Sequence, residues 1–311
     1  MLRKQIRMDN WQFKYVGLDK PDDESYNVLK YINGKYVITG NGQIAVSKDP
    51  ASKWKLISVQ KHGKFMEWRD IIYGNGMYTM CGTKYIAYST ELSRGWHVTK
   101  ICSDDSFECY SIQYINGKYI ICGDDYLYYT KSLGRRWKRI RIDKHFNYCN
   151  YGIQWYSLIY VDGYYVLCGS NSTISYSKSI KRGWQIKKIS NESLTCSHST
   201  IQYENNTYII SNSEWIVYSK DFMGDWNVVK FDENEFYGYR HLRFINGKYM
   251  MPGYERIAYS DDLNDWVYVR IQHGDAPNHW QSIQLINGQY VMCDGEYFAY
   301  CNIPHINDSV L

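Results

Sequence analysis

Seven positions, spaced 42, 41, 46, 43, 41 and 41 residues apart, concentrate the side chains able to hold a ligand: Tyr26, Trp68, Cys109, Trp155, His198, Tyr239 and Trp280. Five of them are aromatic, and their next neighbours include Arg69, Tyr110, Tyr156, Arg240 and Gln281. Aromatic faces beside guanidinium and amide groups suit a sugar ring or another planar ligand, since a pyranose presents an apolar face and a rim of hydroxyls. The alternative is mechanical, because rings of this size also wedge between sheets that converge on an axis. His241, following Tyr239 and Arg240, makes the one cluster with acid/base capability.

Other catalytic signals are sparse. The remaining histidines, among them His62, His97, His145, His273 and His279, fall on different repeats without metal-ligand spacing, so no metal site is expected. Neither a phosphate-cradling glycine loop nor a nucleophile elbow is present, and no catalytic residue or cofactor is assigned. A glycosidase would need two carboxylates about 5 to 9 Å apart, for which Asp70, Asp124, Asp125, Glu214 and Glu255 are the available acids. A basic rim, Arg135, Arg136, Arg139, Lys181 and Arg182, could meet an anionic partner. With a net charge of only +4, nucleic acid is the less expected partner, and cations on an outer strand also discourage edge-to-edge pairing.

These residues must be positioned by a repeat. The Tyr after each hairpin turn (Tyr36, Tyr78, Tyr119, Tyr165, Tyr208, Tyr249 and Tyr290) marks seven copies of a unit typified by residues 114–137. Turns such as Asn33-Gly34, Asn116-Gly117 and Asp162-Gly163 sit between β-rich runs, the strongest short signal for a type I′ hairpin. Two further runs follow, then a polar bend and a strand opening on Trp. Four short strands per repeat is one blade of a β-propeller, an architecture that leaves few bare edges. The seventh copy ends at Tyr300 without its Trp strand, and residues 9–16, containing Trp11, resemble the missing piece. The fold expected is all-β: a seven-bladed propeller of four-stranded antiparallel blades, closed by the N-terminal strand completing the last blade. A single domain over residues 1–311 is expected, with blades at about 26–59, 68–101, 109–142, 155–189, 198–231, 239–271 and 280–301 plus 9–16.

The bends before the Trp carry a family resemblance. Ser47-Lys48-Asp49, Ser219-Lys220-Asp221 and Ser260-Asp261-Asp262, each leading to Trp54, Trp226 or Trp266, resemble the Asp-box of bacterial-neuraminidase repeats. Glu91, Ser132 and Ser179 replace the Asp elsewhere. The unit is similar to the sialidase-like propeller repeat over roughly residues 9–302. In that family the box is a folding device on the face away from the active site, and activity needs an arginine triad, for which Arg69, Arg240 and Arg256 are the only candidates here. Similar repeats also occur in phage and prophage tail-associated proteins.

Cys81, Cys122, Cys168 and Cys293 share one repeat position on separate blades, which suggests small buried thiols and not a disulfide framework. The basic opening residues lead into a strand, so no signal peptide is expected, and no apolar run is long enough for a membrane span. A cytoplasmic protein, or part of a particle assembled there, is the expectation. The functional expectation is a non-catalytic binding or scaffold propeller that recognises a glycan or protein partner through its channel-mouth face. Alternatives are a sialidase-like glycosidase and an anion binder using the basic rim.

Overall fold

The computed structural model describes residues 10–18, 28–61, 66–103, 107–142, 153–190, 199–212, 214–231, 241–271, 273–274 and 279–302. Among them every regular element is a strand, and the strands form seven four-stranded antiparallel sheets. Each sheet is a blade whose first strand lies innermost, the seven first strands together enclosing a central channel. Blade 1 runs from Leu29–Ile32 through Lys35–Thr39 and Gln43–Ser47 to Lys55–Ser58, and blades 2 to 6 repeat that order. Blade 7 takes Ser282–Ile286, Gln289–Cys293 and Tyr297–Asn302 from the C-terminal end and Gln12–Tyr15 from the other. Gln12 faces Tyr300 and Tyr15 faces Tyr297, so the ring closes as expected.

Local chemistry explains the repetition. In the six Asx-Gly hairpins the Asn or Asp has φ of 48 to 51° and the Gly 70 to 80°, the pair of positive values that a type I′ turn demands. Blade 5 achieves the same with Asn205 (φ 49°) and Asn206 (φ 55°). The turn amide then serves a second purpose. Nδ2 of Asn33, Asn116 and Asn246 donates to the hydroxyl of Tyr78, Tyr165 and Tyr290 on the following blade at 2.9, 3.2 and 3.0 Å. Across the closure Asn287 donates to Tyr31 at 3.2 Å. A repeated Asn–Tyr clasp thus joins blade to blade, and the high tyrosine content has a structural cause beyond filling space.

On the same face the bend before each Trp is capped by a hydroxyl. Ser89, Ser177, Ser219 and Ser260 accept from the backbone N–H two residues on at 3.1 to 3.2 Å. Thr130 does the same for Ser132 at 3.2 Å. In blades 2, 4, 5 and 6 the Trp closes the bend by donating its indole N–H to a carbonyl three or four residues back, as Trp96 does to Leu92 at 3.0 Å. Amide bonds from Asp265 and Asn264 hold the Asp262 carboxyl below the usual carboxylate range.

Second strands are buried almost throughout, and their contacts with neighbouring sheets make up the hydrophobic clusters between blades. Cys81, Cys122, Cys168 and Cys293 end these strands as buried free thiols. Burial pushes Cys122 and Cys293 up to about 12, so they are protonated and unreactive.

Candidate functional site

The central channel is a cavity of about 380 Å³ to which all seven blades contribute. Side chains alternate along each innermost strand, so positions two apart share the channel face. One row holds Lys30, Gln113, Gln202, Arg243 and Gln284; the next holds Asp70, Ser111, Ser157, Thr200, His241 and Ser282. The charges in these rows are matched across blades. Lys30 lies 3.4 Å from Asp70, whose other oxygen accepts from Ile112 N–H at 3.1 Å. Arg243 donates to Gln202 at 3.0 Å and lies 3.6 Å from Glu204, while Gln284 donates to the Leu29 carbonyl. Burial raises the Glu204 carboxyl despite the Arg243 charge.

At the mouth, on the side of the blade-joining loops, a bulge changes the alternation. In blades 3 and 4 the pairing register slips between Cys109 and Ser111 and between Trp155 and Ser157. The extra residue re-aims a side chain, as bulges do. Tyr110 and Tyr156 therefore line the channel together with Ser111 and Ser157, while Trp155 turns into the interblade core. Blade 2 has the matching hydrogen bond, Arg69 N–H to the Cys81 carbonyl at 2.9 Å, and Arg69 faces the channel while Trp68 is buried.

The re-aimed residues form a network over blades 2, 3 and 4. Arg69 donates to Glu108 at 2.7 Å and to Glu67 at 2.9 Å, and its guanidinium carbon lies 5.4 Å from the Tyr110 ring centroid. The Tyr110 hydroxyl donates to Asp124 at 3.1 Å, and the Tyr156 hydroxyl to Gln154 at 2.8 Å. Asp124 also accepts from Glu108 N–H at 3.0 Å and from the Gln154 amide at 3.4 Å. Gly82 and Gly123 permit the close approach of these loops, since a Cβ at either would overlap the carbonyl oxygen of Glu67 or Glu108.

The electrostatics favour holding charge over transferring protons. Burial opposes the Arg69 charge, but bonds to and charges of Glu67 and Glu108 hold its pKa above the ordinary arginine value. Burial, with Asp124 and Glu108 adding to it, drives the Tyr110 phenol upward, away from the lowered pKa that a nucleophilic Tyr needs. Burial also raises Asp124, outweighing the bonds from Glu108 N–H and Tyr110. A raised folded-state pKa means that Asp124 favours folding more as pH falls through that pKa toward its unfolded value of about 3.9. The stability difference between the parent chain and Asp124→Asn is therefore expected to shift toward the parent between pH 7 and about pH 4, measured as urea midpoints at both values. A difference independent of pH would contradict the buried carboxylate.

The residues singled out in the sequence divide into groups. Arg69, Tyr110 and His241 line the channel. Trp68, Trp155 and Trp280 are 0, 0 and 1% exposed and sit between blades, which is the mechanical role and leaves no face for a ligand. Tyr26, His198, Tyr239 and Arg240 lie outside the described residues. Among the acids, Asp70 and Asp124 reach the channel wall and mouth, whereas Asp125 pairs with Arg141 at 3.5 Å and Glu255 with Arg270 at 3.0 Å. Arg135, Arg136, Lys181 and Arg182 meet in a groove on the opposite face, but Arg139 departs and lies 5.0 Å from the Tyr126 ring centroid. Glu67, Glu108, Lys30, Arg243 and Gln284 escape sequence reading, although polar residues directly before the repeat aromatic in five of seven inner strands mark the last three. Among the described residues no cluster of His, Cys, Asp or Glu could hold a metal ion, and no helix is long and apolar enough to cross a membrane.

The sequence matches no protein-family model and no curated protein. Solved structures do resemble it. YCF48 bound to D1 peptide aligns with a TM-score of 0.67 at 12% identity over 94% of each chain. A catalytically inactive virginiamycin B lyase from Staphylococcus aureus with quinupristin aligns at 0.69 and 10% identity, over 94% of this chain and 99% of that one. A chain of the mitotic checkpoint complex aligns at 0.69 and 8% identity, over 96% and 93%. At such identities the likeness concerns the fold alone, which is that of a seven-bladed β-propeller with four-stranded antiparallel blades.

Proposed function

We propose that this chain is a non-catalytic binding propeller whose channel mouth takes up a segment of a protein partner. The observation that carries this reading is the mouth itself: a cavity of about 380 Å³, walled by polar side chains that are fixed by cross-blade bonds. Preorganised polar groups in a concave site give orientation and specificity at little ordering cost. Ser111, Ser199 and Thr200 add further polar side chains to this wall. The fold neighbour YCF48, described with a bound D1 peptide, supports a peptide as the class of ligand.

A glycan is the weaker ligand, because Trp68, Trp155 and Trp280 cannot stack on a sugar and the Tyr110 and Tyr156 rings pack edge to face at 5.0 Å. The sialidase-like resemblance is consistent with this: the hydroxyl-capped bends fit a folding role, and Arg69 is engaged by two carboxylates, not presented as part of a clamp.

The test is selection of peptides from a displayed random library on the immobilised chain, followed by plugging the mouth. Ser157→Trp and, separately, Gln113→Trp are expected to weaken the selected peptides by about tenfold or more, with melting temperatures close to the parent's. Peptides that bind both variants as tightly as the parent would overturn the assignment of the face.

A further inference from the structure

The groove between blades 3 and 4, on the face opposite the channel mouth, has a different chemistry. It is a concavity of about 930 Å³ in which Lys131, Arg135 and Arg136 from one bend, with Lys138 at the start of the strand after it, face Lys181 and Arg182 from the next bend. No carboxylate lines it. Among the described residues none of these six cations is engaged in an ion pair.

The other bends provide an internal comparison. At the position two residues after the capping hydroxyl, blades 1, 2, 5 and 6 carry Asp49, Glu91, Asp221 and Asp262. Blades 3 and 4 carry Ser132 and Ser179 there, yet their bends keep the hydroxyl cap at 3.2 and 3.1 Å. The turn thus survives without its acid, and losing the acid in two adjacent bends removes the counter-charge where the cations gather. Unscreened like charges in one concavity work against the compact state, and a bound anion relieves that repulsion.

We propose that this groove binds an anionic segment of polypeptide, one dense in phosphorylated or carboxylate side chains. Guanidinium forks match carboxylate and phosphate oxygens in pairs, and clustered arginines are a recurrent way to read such segments. A nucleic acid fits less well. Sequence-tolerant binding of single strands relies on aromatic faces for the bases, whereas the tyrosines of this groove, Tyr129 and Tyr165, are 9 and 3% exposed. The Tyr165 hydroxyl is moreover engaged by Asn116 at 3.2 Å.

Fluorescence anisotropy on the full chain decides the matter, with a short labelled peptide alternating Glu and phosphoserine, its Gln and Ser counterpart, and a single-stranded oligonucleotide of equal charge. The acidic peptide is expected to bind, the neutral one not, and the affinity to fall as salt is raised from about 0.05 to about 0.15 M. Arg135→Ser/Arg136→Ser/Arg182→Ser and, independently, Lys131→Glu/Lys181→Glu are each expected to weaken the acidic peptide by about tenfold or more without moving the melting temperature, since all five side chains are exposed. Ser157→Trp is expected to leave it unchanged, which separates this groove from the channel mouth. No binding of the acidic peptide, binding by both groove variants as tight as the parent's, or tighter binding of the oligonucleotide would each overturn the proposal.

Discussion

Truncation of the chain before Gly17 is expected to remove roughly 5 kcal/mol of stability, enough to leave the ring largely unfolded near 37 °C. The strand lost, Gln12–Tyr15, is the outermost of blade 7 and pairs with Tyr297–Asn302 at four positions. Val16, 5% exposed, adds a backbone bond to Glu296 at 2.8 Å and packs in the cluster between blades 7 and 1. Trp11 and Phe13 pack against the cluster between blades 6 and 7, where Phe13 stacks on His273 at 4.6 Å. Each fully buried side chain of this size contributes about 1.5 to 3 kcal/mol, and three of partial to full burial give the figure above, comparable to the net stability of many whole domains. The loss also bares a hydrophobic edge strand, an invitation to aggregate. Thermal melts of parent and truncated chain check the first expectation. A synthetic peptide of residues 9–18, added in excess, is expected to raise the truncated chain's melting temperature with concentration, as any ligand of the folded state does. A truncated chain melting within about 2 °C of the parent would mean that the ring does not depend on its closure.

The closure was legible because it rests on a local pattern, a Trp-led strand absent from one end of the chain and present at the other. The hairpins were legible for the same reason, since Asn-Gly demands positive φ wherever it stands. The Asn–Tyr clasp was within reach but unread: Asn33 and Tyr78, or Asn246 and Tyr290, look like turn and filler until the spacing of neighbouring blades puts one above the other. At the mouth the repeat position was legible, but whether its rings bind or wedge was not. Counting five residues back from the inner-strand aromatic selects Trp68, Trp155 and Trp280, all of which are buried between blades, whereas the residues that follow Trp68, Cys109 and Trp155, namely Arg69, Tyr110 and Tyr156, face the channel, the last two through a one-residue bulge that has no signature in composition. The network around Arg69 could not be assembled from the sequence, because Glu67, Glu108, Asp124 and Gln154 come from three loops and a corner and gain meaning only through their distances. The basic groove was half legible. The run of cations was plain, but strand alternation sends Arg139 to Tyr126 and away from the groove.

The burial of these tryptophans carries the second large expectation. Trp68→Ala and Trp280→Ala are each expected to cost about 3 to 5 kcal/mol, the range for deleting a large buried aromatic side chain from a packed core. Both indoles bridge two blades. Trp68 lies among Val37, Ile44 and Val59 of blade 1 and Ile71 and Met80 of blade 2, with its N–H on the Val59 carbonyl at 3.0 Å. Trp280 repeats this five blades later, donating to the Ile271 carbonyl at 2.9 Å. Trp155, equally buried, has no acceptor for its N–H among the described residues. Replacement by Phe keeps most of the apolar contact and removes only the donor, so Trp68→Phe, which leaves the Val59 carbonyl without this bond, is expected to cost about 1 kcal/mol more than Trp155→Phe. Urea unfolding of the four variants measures both differences. If Trp68→Ala instead kept the parent's midpoint while abolishing the binding of peptides selected on the channel mouth, its ring would be a ligand surface and not a wedge between blades.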